Sequence, residues 1–319
     1  MTAVLLNVAH PWGAADAVDA AARARAAGLD GVGLVDSPRL FPDPFVETER
    51  ILAATDAPLA GPCVASLGLR HPVTVAGAVR TLERHHPGRV LTVVGRGESS
   101  VRNEGLPVSP LGGYTAALEA LRDRLSTADG PVAPGRVLGA ASGPKTIAAT
   151  AAALGGVLVD VGVDAGVVAR AVTLTRQHDP AAAIWLFLRA AVTSSEEESA
   201  AAAEPILGSC AMRLAAAPGW YGIEASDVAA VRAVAESHDY ARHGTAGARG
   251  GAVTAADPLV RDRFVLTGEA GDITTRLRPL AGLGIAGLVL AGAVQGVEDR
   301  LDELVPALRA GLRAPEEDR

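Results

Sequence analysis

One phrase occurs three times in this chain and restricts the folds open to it. AAGLDGVGLVD at 26–36 is echoed by AALGGVLVD at 152–160 and again by AGLGIAGLVLA at 281–291. Each reads as the last turn of a helix, a glycine where the helix must stop, and then a buried apolar strand. Helix followed by strand, repeated, means βα units around a parallel sheet. Eight runs fit strands: 3–9, 31–36, 59–66, 90–94, 136–141, 156–161, 183–189 and 286–291. Stretches such as 14–27, 44–54, 73–84 and 111–125 lie between them, with apolar residues at three- and four-residue spacing. The pattern predicts a (β/α)8 TIM barrel, with a doubly wound open sheet as the competing arrangement. Residues 1–319 then form a single domain. Hydrophobic residues make up 49% but aromatics only 3%, so the core must be built mainly from Ala, Val and Leu.

The spacing is uneven in one place. Some ninety residues separate the seventh expected strand from the eighth, which predicts a helical insertion over about 195–283. Ser195-Glu196-Glu197-Glu198 forms a capping box that starts an Ala-rich helix running to Ala217. Further helices are expected over 226–242 and 273–283. Between them, GTAGARGG at 244–251 is too glycine-rich for regular structure and reads as a lid or a linker.

In a barrel of this kind the chemistry sits where strands finish. The fourth strand runs into Gly95-Arg96-Gly97-Glu98-Ser99-Ser100, a loop whose glycines let a ligand lie close to the backbone. The second strand ends at Asp36-Ser37, the third at Cys63-Val64-Ala65-Ser66, and the sixth at Gly162-Val163-Asp164. Asp36 and Glu98 are acids that could serve a desolvated mouth as general acids, or could simply pair with Arg70 or Arg96. After the fifth strand, Ser142-Gly143-Pro144-Lys145-Thr146 builds a helix N-terminus whose free N–H groups suit one phosphate. His10 and the pair His238 and His243 could face the mouth, whereas His71, His85 and His86 read as structural or surface groups. None of them has partners at metal-ligand spacing, so no metal is expected. The net charge of −7 argues against a nucleic-acid partner, and no apolar run approaches the ~18–20 residues that span a bilayer. With no basic leader before VLLNVAHPWG, the expectation is a soluble cytoplasmic protein acting on a small molecule.

Four motifs in this order, DSPRLFPDPFV, RHPVTVAGAV, GRGESSVRNEG and AASGPKT, resemble the luciferase-like family of flavin- and deazaflavin-dependent oxidoreductases. The nearest branch by these motifs is that of the coenzyme F420-dependent methylenetetrahydromethanopterin reductases. The resemblance implies a (β/α)8 barrel that binds a tricyclic ring across its C-terminal mouth. It implies a non-prolyl cis peptide in the third strand, at Cys63–Val64, supporting the back of the ring. It also implies a phosphate site from Ala141, Ser142 and Gly143 with Gly162 and Val163. Asp36, Ser37, Gly95 and Gly97 would flank the ring, with Glu98 as proton donor. Sugar-phosphate chemistry is disfavoured, because Ser37 stands where that branch has a catalytic histidine and Lys145 is the chain's single lysine. The implied activity is hydride transfer between F420 and a C=N, C=C or C=O bond, in a homodimer. The alternatives are an FMN-dependent monooxygenase and a non-catalytic flavin-binding barrel.

Overall fold

Apolar β-branched runs bounded by helix stops leave each strand little choice but to pair on both edges with others like it. Nine strands form: β1 (Ala3–Val8), β2 (Gly31–Leu34), β3 (Leu59–Ser66), β4 (Thr92–Gly95), β5 (Val137–Ala141), β6 (Gly156–Val159), β7 (Ala183–Val192), β8 (Val265–Gly268) and β9 (Gly287–Ala291). All their pairings are parallel. The order β6-β5-β4-β3-β2-β1-β9-β7 closes through β6 against β7 into an eight-stranded barrel. This computed structural model describes residues 2–126, 132–133, 135–242 and 253–313. The glycine-rich stretch 244–251, His243 and the tail 314–319 lie outside the described residues.

The helix stops work as their residues require. Helix Pro144–Leu154 ends on Gly155 at φ +64°, a left-handed conformation that costs glycine little, and β6 begins on the next residue. Helix starts are capped by side chains: Asp16, Asp43, His71 and Asp164 each accept a first-turn amide. The outward faces of the strands pack on this helical ring, while Leu5, Leu91, Leu138, Leu158, Trp185 and Val289 fill the barrel interior. Trp185 sits opposite Gly287, where a Cβ would lie 2.4 Å from the indole. One glycine therefore makes room for one of the chain's few aromatic rings.

The segment between β7 and β9 is not helical throughout. Ser195 caps a helix over Glu196–Ala216, its Oγ accepting from the Glu198 amide at 3.1 Å, and the Glu198 carboxylate accepts from the Ser194 amide at 2.6 Å. The helix expected over 226–242 is shorter, Val228–Glu236, followed by a 3-10 turn at Tyr240–Arg242. Helix Asp257–Phe264 and strand β8 were not expected, and the helix read as 273–283 runs instead over Ala270–Leu277. DPLVRDRF is too polar to show a helical stripe, and Val265-Leu266-Thr267 is too short to announce a strand. β8 pairs with the upper half of β7, from Arg189 to Val192.

Candidate active site

The C-terminal mouth of the barrel is lined on one side by the exits of β2, β3 and β4. Asp36 follows β2 with its side chain fully buried. Its carboxylate accepts from Arg70 Nε at 2.8 Å, from Arg70 Nη2 at 2.9 Å and from the Ser66 amide at 2.9 Å. Arg70 Nη2 also reaches Asp43 Oδ2 at 2.8 Å, and the guanidinium lies over the Phe45 ring. One planar fork thus ties the exits of β2 and β3 to the cap of helix Pro44–Ala54. Hydrogen bonding to Asp36 holds Arg70 further above its ordinary range, against the opposing effect of burial. Burial alone would raise Asp43, but Arg70 and the capped amides outweigh it and hold this carboxyl below its usual range. Both Asp36 oxygens are therefore taken, and of the two expectations for it the geometry shows the pairing with Arg70.

The peptide between Cys63 and Val64 is cis, at the bond the resemblance implied. The β3–β4 register slips between Cys63 and Ala65. The flanking strands carry glycine where a side chain would meet this bulge. A Cβ on Gly33 would lie 2.7 Å from Cys63 Cβ, and one on Gly95 would lie 2.6 Å from Val64 Cγ1. Burial pushes the Cys63 thiol up, so it remains protonated and unreactive. Val64, Ala140 and Phe187 are partly exposed and pack on the barrel's inner core, forming an apolar floor to the mouth. Near its edge, Asn7 Oδ1, Ser37 Oγ and Ser66 Oγ are buried without a hydrogen-bond partner. Buried polar atoms left unpaired are rare and invite a ligand to satisfy them.

The β4 loop is held closely. Gly97 caps the short helix Glu98–Asn103 at φ +68°, and a Cβ there would fall 1.8 Å from Ser66 Oγ. Arg96 donates to the Ser109 carbonyl at 2.6 and 3.1 Å. Glu98 is half exposed and pairs with Arg102 at 3.0 Å along its own helix, and Arg102 lies over the Tyr240 ring. The structure does not set Glu98 in a desolvated pocket, so its expected environment is corrected.

On the far side, Ala141 is buried, and the Ser142 carbonyl accepts from Tyr221 Oη at 2.5 Å. Thr146 Oγ1 spans the amide and carbonyl of Gly143, closing the first turn of helix Pro144–Leu154, while Lys145 is exposed. Gly162 and Val163 do not join Ser142 and Gly143 in an open cradle. The Val163 amide donates to the Arg263 carbonyl at 2.9 Å, and a Cβ on Gly162 would lie 2.2 Å from that same oxygen. Helix Asp257–Phe264 covers these residues, and Asp164 is paired with Arg263 at 2.7 Å.

Sequence reading missed a second buried ion-pair cluster in the mouth. Asp160 follows β6, and Arg189 sits on β7, one inward position above Phe187. They form a two-point pair at 2.6 and 3.1 Å with side-chain exposures of 12% and 4%. Arg213, from helix Glu196–Ala216, adds a contact to Asp160 Oδ2 at 2.5 Å. Phe187 and Phe264 lie 5.0 and 5.5 Å from the Arg189 guanidinium carbon. The available signal was a lone arginine in AIWLFLRAAV at an inward-facing period. At the rim, His10 Nε2 bonds Glu298 Oε1 at 2.8 Å, and His238 is buried within the segment between β7 and β9. Among the described residues no cluster of three His, Cys, Asp or Glu side chains could hold a metal ion. No helix among them is long and apolar enough to cross a membrane.

A family model described as luciferase-like monooxygenase matches residues 6–287. No curated protein sequence matches the chain significantly. Solved structures resemble its fold at low identity. An F420-dependent secondary alcohol dehydrogenase in complex with an F420–acetone adduct superposes with a TM-score of 0.69 at 17% identity, covering 97% of this chain and 100% of that one. The coenzyme F420-dependent tetrahydromethanopterin reductase of Methanopyrus kandleri gives 0.71 at 14%, covering 98% and 99%. A long-chain alkane monooxygenase gives 0.62 at 14%, covering 100% and 94%.

Proposed function

The chain belongs to the luciferase-like monooxygenase family, and on that premise we propose that it is an F420-dependent oxidoreductase of small organic molecules. One observation carries the reading of a bound ring. The apolar floor of Val64, Ala140 and Phe187 is bordered by three buried, unpartnered polar atoms, on Asn7, Ser37 and Ser66. A flat apolar body with polar edges meets both demands at once. When bound, the deazaflavin would supply hydride transfer to or from a C=N, C=C or C=O bond of the substrate. Val64 would support the ring's back, Ser37 and Ser66 would bond its polar edge, and Ser142 and Gly143 would receive its phosphate. Asp36 acts by fixing Arg70 and the Ser66 amide, and so by holding Ser66 in place. Glu98, released from Arg102, is the proton donor in this reading. We also read residues 1–319 as one domain, in a cytoplasmic homodimer.

FMN in place of F420 is the second reading, supported by the alkane monooxygenase's similar fold. Titration of the purified apo-protein with F420 and FMN at equal ionic strength tests both. Micromolar F420 binding with FMN at least tenfold weaker is the expected result. The reverse order, with oxygen consumed in the presence of reduced flavin, supports the monooxygenase. Ligand binding without turnover of any electrophile, and unaltered in Glu98→Gln, supports a non-catalytic barrel.

A further inference from the structure

The cluster around Asp160 carries more positive charge than it cancels. Asp160 Oδ1 accepts from Arg189 Nη1, and Oδ2 accepts from Arg189 Nη2 and Arg213 Nη2. One carboxylate therefore serves two guanidiniums. Among the described residues no second carboxylate lies within 4 Å of either. The neighbouring acids cannot supply the missing charge. Burial pushes the Cys210 thiol up in spite of the two arginines, and burial pushes the Tyr221 phenol up too, so both stay neutral. The Tyr221 hydroxyl is in any case donated to Ser142.

The remaining interactions stabilise the arginines without neutralising them. Phe187 and Phe264 offer Arg189 the negative faces of their rings, and Arg213 Nη1 donates to the Ser209 carbonyl at 2.6 Å. Arg213 Nε is buried and has no hydrogen-bond partner. A surplus cation and an orphaned donor in a largely dry site are both satisfied by one small anion. Arg213 is the member within reach of it. Its side chain is 26% exposed against 4% for Arg189, and the pair it joins rests on Phe187, at the edge of the apolar floor.

We propose that Arg213, backed by Arg189 and Asp160, is a specificity-determining residue that binds the carboxylate of the substrate. The substrate class is a small organic acid whose reducible or oxidisable bond lies over the apolar floor. This inference rests on the oxidoreductase reading for its chemistry but not for the anion site itself. The same charge could be offered by the cofactor's own anionic groups, and the experiment separates the two sources.

The test is calorimetric titration of the apo-protein with benzoate, its neutral analogue benzyl alcohol, and F420, each on wild type, Arg213→Met and Arg213→Lys. The expected result is benzoate binding at least tenfold tighter than benzyl alcohol in wild type. That preference is lost in Arg213→Met and partly restored in Arg213→Lys, while F420 affinity is unchanged. Equal binding of benzoate and benzyl alcohol by wild type, or equal benzoate binding by Arg213→Met, overturns the proposal. Loss of F420 affinity in Arg213→Met assigns the anion to the cofactor and overturns the substrate assignment. If Arg213→Met does not fold, Arg213→Lys and the fall of wild-type benzoate affinity with added salt decide the question. Failure of F420 to bind wild type, with the benzoate preference intact, sinks the cofactor reading and leaves this one standing.

Discussion

Asp36 and Asp160 come from two copies of the same phrase, an apolar strand that ends in aspartate, and both are buried against arginine at the barrel mouth. Their charge balance is opposite. Asp36 shares Arg70 with Asp43, two carboxylates to one guanidinium, whereas Asp160 is alone between Arg189 and Arg213. The strand fixes where the carboxylate stands. Which charge is left over depends on segments that arrive later in the chain. On the β2–β4 side the surplus is negative and partly exposed at Asp43, where water screens it. On the β6–β7 side it is positive and largely dry, which makes the second cluster the one suited to a ligand.

The largest effect should come from removing the sole anion of the drier cluster. Asp160→Ala leaves Arg189 buried without a counter-charge and should cost about 3–5 kcal/mol of unfolding free energy, read by urea denaturation. Arg70→Met strands Asp36 in the same way. Asp36 is fully buried but keeps one partner, the Ser66 amide, so about 2–3 kcal/mol is expected. If Arg70→Met proved the costlier, the burial of Asp36 would outweigh the amide that remains to it.

Gly97→Ala probes the legible side by packing alone. The substitution forces a left-handed alanine against Ser66 Oγ, and about 2 kcal/mol should be lost. Adding Ser66→Gly removes the clash but not the backbone penalty, so the double variant should recover part of that loss. Complete additivity of the two single effects would mean the β4 loop had moved away from β3.

Most of the β2–β4 side could be read from the sequence because its parts are consecutive: strand, exit loop, cap and helix follow one another within 36–105. The ends of all eight barrel strands were placed to within a few residues from their apolar runs, and the cis bond at Cys63–Val64 from the family resemblance that RHP carries. Side-chain partners were harder. Arg70 was one of two candidates for Asp36, and only folding shows that it takes both oxygens while Glu98 turns onto Arg102. The β6–β7 side draws on residues 160, 189, 213, 221 and 264, whose meeting depends on how the segment after β7 packs. No period or spacing within the sequence encodes that. The covering of Gly162 and Val163 was illegible for the same reason, since the helix over them was itself invisible.

Acid should separate the clusters further. Burial raises the Asp160 carboxyl, but the two arginines outweigh it and leave the folded-state value below the ordinary one. Its stabilisation is therefore complete above the unfolded-state value near ~3.9 and is lost as pH falls through the folded-state value. Asp43, also held low, loses its contribution in the same direction. Stability measured from about pH 5 downward should fall less steeply in Asp160→Ala than in wild type. Parallel slopes would mean that Asp160 is not the acid-sensitive member.

The smallest effect, of opposite sign, belongs to the rim pair His10–Glu298, which marks what a carboxylate contributes when it is neither buried nor shared between two arginines. The hydrogen bond to Glu298 raises His10 above its ordinary value; burial opposes it, and the charge of Glu298 adds to the rise. A raised histidine stabilises the fold fully below its unfolded-state value near ~6.5, and that stabilisation fades as pH climbs through the folded-state value. At 19% and 25% side-chain exposure, water screens much of the attraction, so about 0.5–1 kcal/mol is expected. Chemical denaturation between pH 6 and 8.5 should show wild type losing this increment on the alkaline side, with His10→Gln flat over the same range. A His10→Gln variant that kept the wild-type slope would move the titration to another group and leave Asp36 and Asp160 without this surface reference.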